Sequence, residues 1–135
     1  MQRLLWILVP VLMLAACSTV PSAPDDGWNS SCTDTIAALH PIRTDLGQDL
    51  RAWKLAHEAL HEYVRGNYAA ANSDWRKLHV ITGQPADLWN ATLALAKLEN
   101  IDHAANLLED IDVDALPDDH RGDYVALREC IESHR

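Results

Sequence analysis

The sequence predicts an all-α domain built from paired helices. Apolar residues recur at steps of three and four through most of positions 44–133, the spacing that keeps one helix face buried. No run alternates with a period of two over a useful length, so no sheet is expected. Short breaks at Gly66-Asn67, Gly83 with Pro85, Asn100–Asp102 and Leu116-Pro117 cut the pattern into pieces of helix length.

Taken in order, residues 33–40 suit a short helix stopped by Pro41. Thr44 or Asp45 offers an N-cap for a long helix. Its apolar stripe is Leu46, Leu50, Trp53, His57, Leu60 and Val64, with Arg51, Lys54, Glu58, Glu62 and Arg65 off it. After Gly66-Asn67 a second helix buries Tyr68, Ala71, Trp75 and Leu78, and Gly83 ends it. Pro85 fits the first turn of a third helix, where a missing N–H costs nothing. That helix runs to about Glu99 with Leu88, Ala91, Leu95 and Leu98 inward. Residues 103–111 form a fourth, with Ala104, Leu107, Leu108 and Ile111 inward. Asp118 or Asp119 caps a fifth that reaches Ser133 on a stripe of Tyr124, Leu127 and Ile131.

The start of the chain carries a different message. Arg3 precedes an apolar run from Leu4 to Leu14, too short to stay in a bilayer as a spanning helix. Leu14-Ala15-Ala16-Cys17 follows. This order resembles the leader and lipobox of bacterial lipoproteins. The resemblance implies a signal peptide over 1–16, cleavage before Cys17 and lipidation of Cys17. Ser18 stands where an Asp would redirect sorting, which implies the outer membrane, with the domain anchored on the periplasmic side. Several acyl chains make such an anchor stable, where one alone binds marginally.

Residues 17–31 contain Pro21, Pro24, Asp25, Asp26 and Gly27 without apolar periodicity, and read as a flexible tether. Trp28 is the one large apolar residue there, docked or free. The helical domain then spans 32–135. Export places Cys32 and Cys130 in an oxidising compartment, where a pair tends to join. We expect a Cys32–Cys130 disulfide closing nearly the whole domain.

Charge excludes some partners. The net charge is −9, and loss of Arg3 with the leader takes it to −10. That argues against nucleic acid and against an electrostatic grip on anionic lipid. The acid is concentrated: residues 17–98 carry a net −2 and residues 99–135 a net −8. An acidic end of this kind is a solvated face or a surface for a basic partner.

The hairpins repeat. Gly66-Asn67-Tyr68 with Ala71 and Trp75 aligns with Glu99-Asn100-Ile101 with Ala104 and Leu108, a shift of 33 residues. A small residue suits the close crossing of two helices, and a large one four places on fills the space beside it. At these positions the chain resembles the tetratricopeptide repeat group, including its Sel1-like relatives. The resemblance covers about half of residues 17–135 and is weaker in the second copy, where Glu99 and Ile101 replace Gly and Tyr. It implies two TPR-like helical hairpins plus flanking N-terminal and C-terminal capping helices. Two repeats are fewer than the three usually needed, so the flanking helices and the disulfide have to supply burial.

Candidate chemistry is sparse. His57-Glu58-Ala59-Leu60-His61 matches H-E-x-x-H of zinc peptidases. Histidines at i and i+4 share a face and reach one Zn²⁺, and the Glu between serves as base. A membrane-tethered zinc metallopeptidase with ligands His57 and His61 and base Glu58 is therefore an alternative. It lacks a third ligand at zincin spacing, the choices being His79, Glu99 and His103, and it lacks a strand to align a substrate. The preferred reading has two partly buried helix histidines, no metal, no cofactor and no catalytic residues. Asp110, Asp112 and Asp114 alternate as in a calcium loop, but Ala115 and Arg121 occupy the places that need Gly and Glu.

Trp53, Trp75 and Trp89 are candidate partner-binding residues. Aromatic residues on paired helices are mostly core, but in repeat proteins some line a groove. Trp89 lies one position off the Leu88–Leu95 stripe and is the best candidate for an exposed contact. The expected function is a lipid-anchored periplasmic protein-binding adaptor or assembly factor. It resembles the pilotins that serve secretion and pilus systems, which implies a secretin or pilus subunit as partner. A structural lipoprotein or a toxin-immunity lipoprotein is a further alternative.

Overall fold

The computed structural model describes residues 27–134. The leader, Cys17 and residues 17–26 of the expected tether lie outside the described residues. Six α-helices and one short 3-10 turn make up the described chain, with no strand among the described residues. They are α1 (Ser30–Ala37), α2 (Leu50–Val64), α3 (Tyr68–Thr82), α4 (Pro85–Lys97), α5 (Ile101–Glu109), the turn Val113–Ala115, and α6 (Asp118–Ser133). The all-α class follows directly.

Neighbours in sequence pack on each other: α2 on α3, α3 on α4, α4 on α5, α5 on α6. These are helical hairpins in succession. α1 closes the set against α6 and α4. The two tight hairpin turns are built alike. Gly66, at φ +82°, follows α2, and the Asn67 N–H bonds the Glu62 carbonyl. Glu99, at φ +59°, follows α4, and the Asn100 N–H bonds the Leu95 carbonyl. Gly66 N–H to Tyr63 and Glu99 N–H to Ala96 complete each cap. This is the Schellman pattern of a left-handed residue closing a helix. It recurs 33 residues apart, although the second copy has no glycine.

α4 is the hub. Between Asp87 and Lys97 it carries no charged residue, and every residue from Trp89 to Ala96 is buried. Small residues let its neighbours close in: Ala91, Ala94 and Ala96 are fully covered. One core joins α1, α4, α5 and α6 through residues such as Ile36, Leu93, Leu108 and Leu127. A second joins α2, α3 and α4 through Ala52, Ala59, Ala71, Trp75 and Leu78.

Several expected boundaries move. Trp28 and residues 30–31, expected at the end of the tether, belong to the folded domain. Trp28 is buried and its indole N–H donates to the Ala96 carbonyl at 2.7 Å. α1 begins at Ser30 because the Asn29 side chain accepts from the Cys32 N–H and caps it. The cap of α2 is Asp49, not Thr44 or Asp45, accepting from Arg51 and Ala52. α6 starts at Asp118 with Pro117 in the cap position, so neither Asp118 nor Asp119 caps it; both sit in its first turn.

The Cys32 and Cys130 sulfurs lie at disulfide distance, with Cα atoms 5.6 Å apart, and link α1 to α6. Beside them the His134 ring ties the two ends of the described chain together. Its Nε2 accepts from the Asn29 N–H at 3.0 Å, and its Nδ1 lies 2.7 Å from the Cys130 carbonyl. One neutral tautomer, with the proton on Nδ1, serves both bonds.

Candidate functional site

The largest correction concerns α2. The expected stripe of Leu50, Trp53, His57, Leu60 and Val64 does not enter the core. Leu50 is 84% exposed, Trp53 58%, Leu60 45% and Val64 76%. α2 instead buries the side that carries Ala52 and Ala59, with Leu55, Ala56 and Tyr63 partly covered. The physical reason is the hairpin crossing. Ala59 and Ala71 are both fully covered, and side chains this small let α2 and α3 approach closely. Leu or Trp at that contact would hold them apart. The bulky stripe is therefore left on the surface.

That surface forms one side of a groove of about 460 Å³. Trp53 stacks on His57, one turn along the same helix, with ring centroids 5.4 Å apart and planes 5° apart. Leu60 and Ala56 continue the same wall. The opposite wall is the segment 41–47, and Trp75 and Asn90 reach the floor. The segment is fixed to α4 by side chains. The Asn90 amide accepts from the Ile42 N–H at 2.6 Å and donates to the Ile42 carbonyl at 2.8 Å. The Asp87 carboxylate, fully buried, accepts from the Thr44 hydroxyl at 2.6 Å and from the Thr82 hydroxyl. Burying a carboxylate is tolerated when donors surround it in this way.

At the closed end of the hairpin three aromatic rings meet. Tyr63 lies 5.2 Å from Tyr68 and 5.5 Å from Trp75, both in edge-on or tilted contact. Burial pushes the Tyr63 hydroxyl up to about 12, and Tyr68 adds to the shift. Burial also raises the Asp74 carboxyl, which Lys77 at 3.8 Å opposes and Glu58 and Glu62 reinforce.

The three tryptophans part company. Trp53 is exposed on the groove wall. Trp75 is buried but lines the groove floor. Trp89 is fully buried in the core of α1, α4, α5 and α6, and is not an exposed contact. Its helix is covered on every side, so a position off the Leu stripe faces another neighbour, not solvent. Sequence reasoning missed the segment 41–47 and its clamps Asp87 and Asn90. The signal was present: two polar residues one helical turn apart, in a stretch largely apolar.

His57 and His61 are both exposed rather than partly buried. They share a face of α2, as i,i+4 spacing requires. Of the candidate third ligands, His103 is engaged with Asn100 at 2.8 Å. Among the described residues no group of three His, Cys, Asp or Glu side chains is placed to hold a metal ion. No helix among the described residues is long and apolar enough to cross a membrane. No protein-family model, no curated protein and no solved structure matches this chain.

Proposed function

We propose that this chain is a lipid-anchored periplasmic adaptor that holds a protein partner of the outer-membrane envelope, pilotin-like in its role. The observation that carries the reading is the groove beside α2. Its wall exposes Trp53 and Leu60 on a helix whose opposite side is already packed. Apolar residues of this size, left on one face, mark interaction surfaces. Its far wall is held in place by buried side-chain clamps, so the groove is preformed and little ordering is lost on binding. In this reading Cys17 carries the lipid, residues 17–26 give reach, and the TPR-like hairpins present the groove to a secretin or pilus subunit.

The test is capture from membranes. The lipidated protein is purified by mild detergent with and without Trp53→Ala, and retained proteins are identified by mass spectrometry. One dominant secretin or pilus component that Trp53→Ala loses supports the reading. A toxin in that place supports the immunity alternative instead. Equal capture by both forms removes the groove from the argument. Metabolic labelling with palmitate, lost in Cys17→Ser, tests the anchor separately.

A further inference from the structure

Leu50 and Val64 are the most exposed large apolar residues of α2, and neither lines the groove. Leu50, His57 and Val64 stand seven residues apart, close to two helical turns, so they form one outer ridge along the helix. Trp53 and Leu60 lie on the groove side of that ridge. At ~100° per residue, the other side runs His61, Lys54 and Arg65 first, and only then Glu58, Arg51 and Glu62. The two acids are turned towards α3, where both raise the Asp74 carboxyl. They are also engaged within the fold, Glu58 with Lys54 at 3.9 Å and Glu62 with the Asn67 amide at 2.7 Å. Across the groove stands Arg43, while the Asp45 carboxylate on that wall turns back to the Gly47 N–H. Arg43, Arg51 and Arg65 form no ion pair among the described residues. The exposed apolar residues of α2 thus have bases on both flanks. Trp and Leu on one helix face, with Lys and Arg beside them, suit a helix that lies in a membrane interface. We infer that the outer ridge of α2 rests on an anionic phospholipid surface, with the groove opening sideways along it.

The whole chain without its leader carries −10, which alone opposes such a surface. Its distribution decides otherwise at α2. Residues 50–65 carry a net of +1 and residues 99–135 a net of −8. α2 packs on α3, whereas α5 and α6 pack on α4 and on each other. A helix is ~10 Å across, and exposed charges are screened over ~8 Å at physiological salt. The acidic end is therefore screened from the lipid when α2 faces it, and is repelled when it faces the lipid itself. The inference rests on the proposed anchor at Cys17. Ten residues lead from Cys17 to Gly27, at most ~33–36 Å of extended chain. That is about the ~35 Å width expected of a domain this size. The anchor can serve any face turned to the bilayer, and it keeps α2 within reach of lipid at all times. Effective concentration at such a distance is high, so a weak apolar contact suffices. A protein partner has no such standing proximity. Trp53, between ridge and groove, then sits at headgroup level, where an amphipathic ring is favoured.

Trp53 emission on vesicles decides it. The lipidated, processed chain is reconstituted into phosphatidylethanolamine–phosphatidylglycerol vesicles whose acyl chains carry bromine, a quencher of indole emission. Trp28, Trp75 and Trp89 are buried, and Trp53→Phe measures their background. A blue shift and quenching are expected, both lost in Trp53→Phe. Both are also lost in Leu50→Glu with Val64→Glu, with helicity retained, and largely lost on phosphatidylcholine vesicles. Emission that is the same on brominated and plain lipid overturns the inference. Quenching that survives Leu50→Glu with Val64→Glu, or is equal on phosphatidylcholine, overturns it too. The anchor is tested apart from the face. Cys17→Ser, added to the same vesicles at high lipid, still shows the shift if the anchor alone is wrong, and none if the face is wrong. Docking is also separable, because Leu50 and Val64 lie outside the groove lining. Capture of the envelope partner in detergent persists in Leu50→Glu with Val64→Glu when only the membrane contact is lost.

Discussion

Asn90 holds Ile42 by both backbone groups at once. The Ile42 N–H donates to Oδ1 at 2.6 Å, and Nδ2 donates to the Ile42 carbonyl at 2.8 Å. A primary amide imitates the edge of a β-strand here, in a protein whose described residues contain no strand. Both partners are buried. Removing the amide strands a buried donor and a buried acceptor. Asn90→Ala is therefore expected to cost about 2–4 kcal/mol, roughly 1–3 for each unsatisfied group with partial relief by water. Urea unfolding measures the loss, and amide exchange at Ile42 localises it to the groove wall. Unchanged exchange at Ile42 would show that the clamp is not what fixes the segment.

The tryptophans separate stability from surface. Trp89→Ala empties a fully buried site and is expected to cost about 3–5 kcal/mol. Trp53→Ala truncates an exposed residue and is expected to stay within about 1 kcal/mol, the range of surface substitutions with modest packing. Thermal or urea melts of the two variants side by side give the comparison. Equal costs would place Trp53 in a packed environment that this fold does not provide.

Glu99 stands where the helix turns left-handed, at φ +59°. Gly66 serves the equivalent place 33 residues earlier, after α2, at φ +82°. A side chain in that conformation costs roughly 1–2 kcal/mol relative to glycine. Glu99→Gly is expected to recover about 1 kcal/mol, because greater freedom of glycine in the unfolded chain offsets part of the gain. The converse change, Gly66→Ala, is expected to destabilise by a similar amount. The sign of the pair, read from chemical denaturation, is the check.

Alkaline pH acts through Tyr63. Its hydroxyl titrates near 10 in the unfolded chain and at about 12 in the fold. The folded state therefore keeps a proton that the unfolded state gives up between those values. Stability is fully present below pH 10 and falls as pH rises toward 12. Tyr63→Phe cannot ionise, so it is expected to flatten that part of the curve relative to the parent. A parallel decline in both proteins would assign the alkaline loss to other groups.

Joining Cys32 to Cys130 closes a loop of 98 residues in sequence separation. By loop-closure entropy such a link contributes about 4–5 kcal/mol. Reduction, or Cys32→Ser with Cys130→Ser, is expected to lower unfolding free energy by up to that amount. The shift in denaturation midpoint with and without reductant measures it. A negligible shift would mean that the reduced chain already keeps α1 against α6.

Fold class was legible because period and breaks carry it. Gly66, Gly83, Pro85 and Pro117 punctuate the chain where the helices end or begin, and the stripes of α3, α5 and α6 face inward as their spacing predicts. The face of α2 was not legible. That helix has two apolar sides, and spacing alone does not rank them. The decision belongs to a contact between Ala59 and α3 that no single helix records. A rule that weighs small residues two turns apart, Ala52 and Ala59, selects the buried side. Trp89 eludes the pattern for a related reason: a stripe implies one buried side, and α4 is surrounded. The absence of charge over residues 88–96 is the signal that marks a surrounded helix. The groove could not be read along the chain. It exists only because the larger side of α2 stays outside and residues 41–47 lie alongside it.

The fastening around His134 has a mechanical meaning. A pull applied to the chain ahead of residue 27 would meet the domain at Trp28. Tension there reaches the Ala96 carbonyl through the indole, the α6 end through His134, and the Cys32–Cys130 link four residues later. Load passes first into α4 and α6, and α4 is also the helix whose Asp87 and Asn90 hold the groove wall. The groove and the entry of the chain into the domain are thereby fastened to one and the same helix.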